Sequence, residues 1–256
     1  MALKVFVTGA SSGIGAATAV AFAAAGHTVG ICARRKDRLD QVAEACGANT
    51  RSWVADLADL ESLESLAATV DEQLGGVDVL VNNAGVPKRR RAQQMTAADL
   101  ESVMAMNYFS PARLSLAFLP RMVARGQGDI INVSSMGVHS AAFGVGAYSA
   151  SKAALELFTE SLYLELSKTG VRAHLLVPGT TRTEFSDAKP DNDPSMVQGA
   201  AGGASPQEVA AAIVSCIGDD RFVTYATERD GKTSGYKAAD PNAFLAKARD
   251  SLSAFL

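Results

Sequence analysis

The chain has 256 residues, 48% of them hydrophobic and 20% charged, with a formal net charge of -3. Such a composition can bury a sizeable core and creates no overall pull toward nucleic acid or a membrane surface. Cys32, Cys46 and Cys216, with His27, His139 and His174, fall in no metal-ligand spacing, so no metal is expected and a reduced, cytoplasmic setting is.

Short β-branched runs alternate with longer helical patterns along the chain. Strands are expected at 3–8, 28–33, 50–55, 77–82, 129–134 and 171–177, and helices near 13–25, 36–46, 59–74, 96–124 and 148–169. Most of the strands are apolar on both faces, as parallel strands covered by helices should be. The rhythm predicts an α/β fold: one Rossmann-type, doubly wound parallel sheet with helices on both faces, in a single domain over 1–256. The richest apolar stretch, 16–31, is interrupted by Gly26-His27-Thr28, so no membrane span is expected, and the early first strand argues against a signal peptide. Thr96 with Asp99, and Ser205-Pro206 with Glu208, read as helix-capping signals. Lys88-Arg89-Arg90-Arg91 is the only dense basic cluster and reads as a solvated loop. Residues 184–204, rich in Gly, Pro, Asp and Ser, form a loop long enough to suggest a lid.

Thr8-Gly9-Ala10-Ser11-Ser12-Gly13-Ile14-Gly15 follows the first strand and opens the first helix. Glycines there permit a tight turn and close backbone approach, and the helix N-terminus offers unpaired N–H groups to a pyrophosphate. The next strand ends in Cys32-Ala33-Arg34-Arg35-Lys36, with no carboxylate before Asp37. An acid at that place would suit the 2′-hydroxyl of NAD, whereas guanidinium groups suit the 2′-phosphate of NADP. Arg34 and Arg35 therefore predict NADP(H). Tyr148 and Lys152 stand four residues apart at the start of a helix and share a face. A fixed positive charge beside a phenol favours the phenolate, so Tyr148 is expected to have a lowered pKa and to work as a general acid and base.

Taken together, the glycine loop, Tyr148 and Lys152 resemble the short-chain dehydrogenase/reductase family in its simple single-domain branch, over roughly residues 3–225. The resemblance implies further roles. Asp56 and Leu57 would meet the adenine. Asn83, Ala84 and Gly85, within Asn82-Asn83-Ala84-Gly85, match the family's N-N-A-G. Ser135 would be the catalytic serine, with its neighbour Ser134 the weaker choice. Asn107 would be the catalytic asparagine, holding a relay water through its backbone carbonyl. Pro111 suits that role, because a proline leaves the carbonyl four residues earlier without its helical partner and can kink the helix. Pro178, Gly179, Thr181 and Thr183, in Pro178-Gly179-Thr180-Thr181-Arg182-Thr183, would contact the nicotinamide end, and Lys152 would also bind its ribose.

The implied activity is NADP(H)-dependent hydride transfer to or from a carbonyl or secondary alcohol carbon. Met136, Val138, Phe143, Val145, Phe185 and Met196 suggest a hydrophobic small-molecule substrate, and His139 is a further candidate contact. A non-catalytic NADP(H)-sensing regulator is the alternative from another class, against which the full Asn107, Ser135, Tyr148 and Lys152 set argues. A cofactor-retaining epimerase or dehydratase is a third reading. The segment 226–256 departs from the family's usual ending: it is polar at first and then reads as a helix over 243–256. That puts the family's tetramer contact in doubt and leaves a homodimer through the long helices, or a homotetramer, as the expected assembly.

Overall fold

The computed structural model describes residues 2–140, 143–187, 192–193 and 202–252. Seven strands form one parallel sheet: β1 Lys4–Thr8, β2 Thr28–Ala33, β3 Thr50–Val54, β4 Val79–Asn82, β5 Gly128–Val133, β6 Val171–Val177 and β7 Val223–Tyr225. Their order is β3-β2-β1-β4-β5-β6-β7, so the chain reverses direction across the sheet between β1 and β4. In register, Val5 lies opposite Val29 on one side and Val79 on the other. A ligand crevice is expected at such a switch point, outside the carboxyl ends of the strands.

The period of two within strands sorts the core. In β1, Phe6 joins the cluster on one face, while Val5 and Val7 join the cluster on the other. The Phe6 face is covered by α3 (Leu63–Leu74), α5 (Ser110–Arg125) and α7 (Gly146–Glu165) through Leu63, Leu114, Phe118 and Leu162. The opposite face is covered by α1 (Gly13–Ala24), α2 (Lys36–Cys46) and α8 (Pro206–Ser215) through Phe22, Leu39 and Ile213. Each such fully buried side chain contributes roughly 1.5–3 kcal/mol relative to exposure. β3 differs from the expectation of apolar strands: as an edge strand it leaves Arg51, Ser52 and Val54 exposed. No helix among the described residues is long and apolar enough to cross a membrane.

Both capping signals are present as reciprocal boxes. Thr96 and Asp99 close the start of α4 (Ala97–Met104), and Ser205 and Glu208 that of α8. The expected long helix over 96–124 is not uniform. Between α4 and α5 lies a π-helical turn, Ala105–Phe109, in which the Ser110 N–H bonds the Ala105 carbonyl. Such wide turns absorb an extra residue and bend the path, and here the turn carries Asn107. Another difference concerns the tail. Its polar first part, for which no helix is expected, forms α9 (Glu228–Ala239), which precedes α10 (Pro241–Leu252), while α6 (Met136–His139) is a short helix after β5.

Candidate active site

The carboxyl ends of the central strands open into a cavity of about 870 Å³. On one side its wall is the glycine loop. Gly9 and Gly13 take φ values of +67° and +57°, where residues with a side chain are strained. A Cβ on Gly15 would lie 2.5 Å from both the Asn83 Nδ2 and the Gly9 carbonyl oxygen. Ser12, at the N-cap of α1, makes no side-chain capping bond, so the first turn of α1 keeps its N–H groups for another acceptor. The bare, glycine-lined cradle at a helix N-terminus fits a dinucleotide pyrophosphate. Thr8 and Asn83 hold the cradle in place. The Thr8 hydroxyl donates to the Val81 carbonyl and accepts from the N–H groups of Asn83 and Ala84, while Asn83 Nδ2 donates to the Thr8 carbonyl at 2.9 Å.

Ser11, Ser12, Gly13, Ile14, Arg34, Arg35, Leu57, Ala84 and Gly85 line the same cavity. Arg35 folds back over the loop, with Nη2 at 2.8 Å from the Ser12 hydroxyl and 3.1 Å from that of Ser11. Arg34 is more exposed and stands 4.0 Å from Asp56. Asp56 itself is not part of the wall. Its Oδ1 accepts from the Ala58 N–H at 3.0 Å, and Leu57 and Ala58 face the cavity instead. Gly15 and Asn107 also stand behind the wall rather than on it.

On the other side, Ser135, Tyr148, Lys152, Pro178, Gly179, Thr181 and Thr183 face the cavity. α7 begins at Gly146, so Tyr148 and Lys152 lie on adjacent turns of one helical face, as their spacing predicts. Lys152 is almost fully buried and donates to the Val133 carbonyl at 2.8 Å. Burial lowers its pKa from 10.5 to about 8, an effect that the charge of Glu156 partly offsets. Tyr148 departs from expectation. Burial raises the pKa of its phenol above the ordinary value, and the Ser135 hydroxyl and then the Arg89 charge oppose that rise. The protein alone therefore favours the neutral phenol, because desolvation outweighs the nearby charges. Ser135 caps α6, its oxygen accepting from the Gly137 N–H at 3.0 Å. Ser134 turns away and donates to Glu156.

Asn107 is fully buried with its amide satisfied. Oδ1 accepts from the Val86 N–H at 2.8 Å, and Nδ2 donates to the Val86 carbonyl and the Ser151 hydroxyl, each at 3.1 Å. These bonds pin the loop after Gly85 to α7. A Cβ on Gly85 would lie 3.2 Å from Asn107 Oδ1 and 3.5 Å from Lys152 Nζ, so a side chain there would press on the Asn107 amide.

The basic run is not a solvated loop. Lys88 is buried and pairs with Asp99 at 2.5 Å, and Arg90 pairs with the same carboxylate at 2.8 Å. These bonds, with that from the Thr96 N–H, hold the Asp99 carboxyl well below the usual carboxylate range. Arg91 stacks on Phe143, and Arg89 lines the cavity. Met136, Phe143, Val145 and Phe185 also line it, with the Phe185 ring 5.8 Å from that of Tyr148. Val138 and His139 are not on this wall. The Val138 carbonyl accepts from Lys237, and His139 Nε2 stands 3.2 Å from Glu156. Met196 and most of 184–204 lie outside the described residues.

A glycine cradle and a Ser–Tyr–Lys set that share one cavity at a parallel-sheet switch point match one family. The short-chain dehydrogenase pattern covers residues 3–194. The chain belongs to the short-chain dehydrogenase family. A fatty acyl-CoA reductase of Mycobacterium tuberculosis is 40% identical over 179 residues, which span 68% of this chain and 61% of that protein. A short-chain dehydrogenase from Streptomyces avermitilis superposes with a TM-score of 0.85 at 32% identity, over 100% of this chain and 98% of that one. Another, from Sphingobium yanoikuyae in complex with NADPH, has a TM-score of 0.77 at 30% identity, over 99% and 96% of the two chains. As a short-chain dehydrogenase the chain is an oxidoreductase of the nicotinamide-dependent kind.

Sequence reasoning missed three contributors. Glu156 sits below Lys152, and the signal was its spacing of four residues. Asp230 accepts from the Gly179 N–H at 3.2 Å and so ties α9 to the cavity wall. Its signal was Thr227-x-x-Asp230, a capping pattern that the structure makes. Arg89 reaches the cavity through the path of its loop, which no local pattern encodes.

Proposed function

We propose that this protein is an NADP(H)-dependent reductase or dehydrogenase acting on a carbonyl or secondary alcohol of a hydrophobic small molecule. The observation that carries the reading is that Ser135, Tyr148 and Lys152 face the same cavity as the glycine cradle. The bound nicotinamide supplies or accepts the hydride. Tyr148 gives its phenolic proton to the substrate oxygen in reduction and takes it back in oxidation. Ser135 holds that oxygen beside the phenol. Lys152, one turn along the same face of α7, carries a buried cation that in this reading acts with the oxidised nicotinamide to favour the phenolate that burial opposes. The Asn107 side-chain amide is taken up by Val86 and Ser151, so a relay role for this residue rests on its backbone carbonyl, which Pro111 four residues on has no N–H to pair.

Preference for the phosphorylated cofactor rests on Arg34 and Arg35 at the end of β2, with the hydroxyls of Ser11 and Ser12 beside Arg35. The mycobacterial relative's name, fatty acyl-CoA reductase, and the apolar Met136, Phe143, Val145 and Phe185 on the cavity wall support a hydrophobic substrate. Exposed Phe109, Leu116 and Val123, with Leu157 and Leu164 of α7, support pairing of two copies through the long helices. The test is a ketone and aldehyde panel followed by oxidation of NADPH and of NADH, in wild type and in Arg34→Ala and Arg35→Ala. The expected result is turnover with NADPH that both variants weaken. Equal turnover with NADH, unchanged in both variants, overturns the cofactor assignment.

A further inference from the structure

One carboxylate stands where the proposed cofactor's adenosine phosphate would be read. Glu184 Oε2 pairs with Arg35 Nη1 at 2.9 Å, and its Oε1 lies 3.5 Å from Arg38 Nη1. Arg35 is the same residue that grips Ser11 and Ser12 with its other nitrogens. An anion bridging two guanidinium groups beside two hydroxyls marks an anion site, and the chain fills it with a residue 149 positions away. No secondary-structure need explains this contact. Glu184 opens a short 3-10 turn, Glu184–Ser186, whose N-cap bond comes from Thr183.

The neighbours of Glu184 give the contact a consequence. Thr183 packs on the glycine loop, its Cγ2 3.0 Å from where a Cβ on Gly13 would be. Phe185 stands over Tyr148, with ring centroids 5.8 Å apart. One residue thus links the adenosine end of the cavity to the segment that covers the phenol.

We propose that Glu184 is a specificity-determining residue that occupies, on Arg35 and Arg38, the place of the cofactor's 2′-phosphate and is exchanged for that phosphate on binding. The inference rests on the NADP(H) reading above. A cofactor without the 2′-phosphate leaves the carboxylate seated. One with it releases residues 183–185 from the arginines, so the phosphate is sensed at Phe185, next to Tyr148. Both partners are half-exposed, so the competition is modest, about two- to tenfold in affinity.

The experiment measures calorimetric affinities of ADP-ribose and 2′-phospho-ADP-ribose for wild type and Glu184→Gln. Amide hydrogen exchange at 183–185 in the wild type is followed with each probe. The expected result is that the variant binds 2′-phospho-ADP-ribose about two- to tenfold more tightly and ADP-ribose unchanged. In wild type, only the phosphorylated probe should speed exchange at 183–185. Equal tightening of both probes, no change, or weaker binding of the phosphorylated probe would overturn the exchange. Equal exchange with both probes in the wild type does the same without relying on the variant. If the wild type binds the two probes equally, the NADP(H) reading itself fails, an outcome distinct from loss of the Glu184 effect alone.

Discussion

Replacing Lys152 with methionine should stabilise the protein without cofactor while removing its activity. The ammonium is buried and donates to the Val133 carbonyl. Its pKa is about 8 when folded against an ordinary 10.5. Because the folded state gives up this proton first, the unfolded chain binds more protons between those values, and stability rises with pH across that window. Below pH 8 the full cost applies, about 3 kcal/mol at about 1.4 kcal/mol per pKa unit. Methionine removes that cost but leaves the Val133 carbonyl unpaired, which costs about 1–3 kcal/mol. A net gain of about 1 kcal/mol at pH 7 is therefore expected. The sharper signature is in the pH dependence. Between pH 7 and 9.5 the wild type should recover about 2 kcal/mol that Lys152→Met does not. Urea unfolding of both proteins at the two pH values measures it, and subtraction removes the other titrating groups. A stability difference that stays constant between pH 7 and 9.5 would refute the reasoning.

Two further outcomes follow from the same geometry. Asp99→Ala should lower the melting temperature at pH 7, because Lys88 loses its buried partner and Thr96 its reciprocal cap. The depressed Asp99 pKa contributes stability that is present above the unfolded value and lost as pH falls, so scanning calorimetry should show the difference narrowing below about pH 4. Gly15→Ala places a methyl 2.5 Å from two polar atoms of the cradle. It should cost about 1–3 kcal/mol in denaturant unfolding and weaken cofactor binding measured by fluorescence titration.

The sheet was legible because buried parallel strands must be apolar on both faces and their helices carry their own caps, as at Thr96 and Ser205. The cradle was legible because glycine is required where φ is positive or a Cβ has no room, as at Gly9 and Gly15. What the sequence hid depends on where loops travel. Lys88 reads as solvated because its partner, Asp99, already has a visible job as a cap, and only the fold shows one carboxylate doing both. α9 is not read as a helix from sequence because Gly231 and Gly235 weaken its local preference, while Gly179, to which its Asp230 is anchored, lies 51 residues away. The rise in the Tyr148 pKa was hidden for another reason: spacing shows a charge nearby, but burial is a property of the whole fold.

The central claim is that Tyr148 carries the proton. The most direct measurement is the single-turnover rate of NADPH oxidation by Tyr148→Phe, with a carbonyl substrate that the wild type accepts, after NADPH binding is shown to be intact. The expected result is unchanged binding and a rate lower by about 10²–10⁴-fold. A rate within about tenfold of wild type would contradict it, since the positioned acid would then contribute less than general acid catalysis supplies.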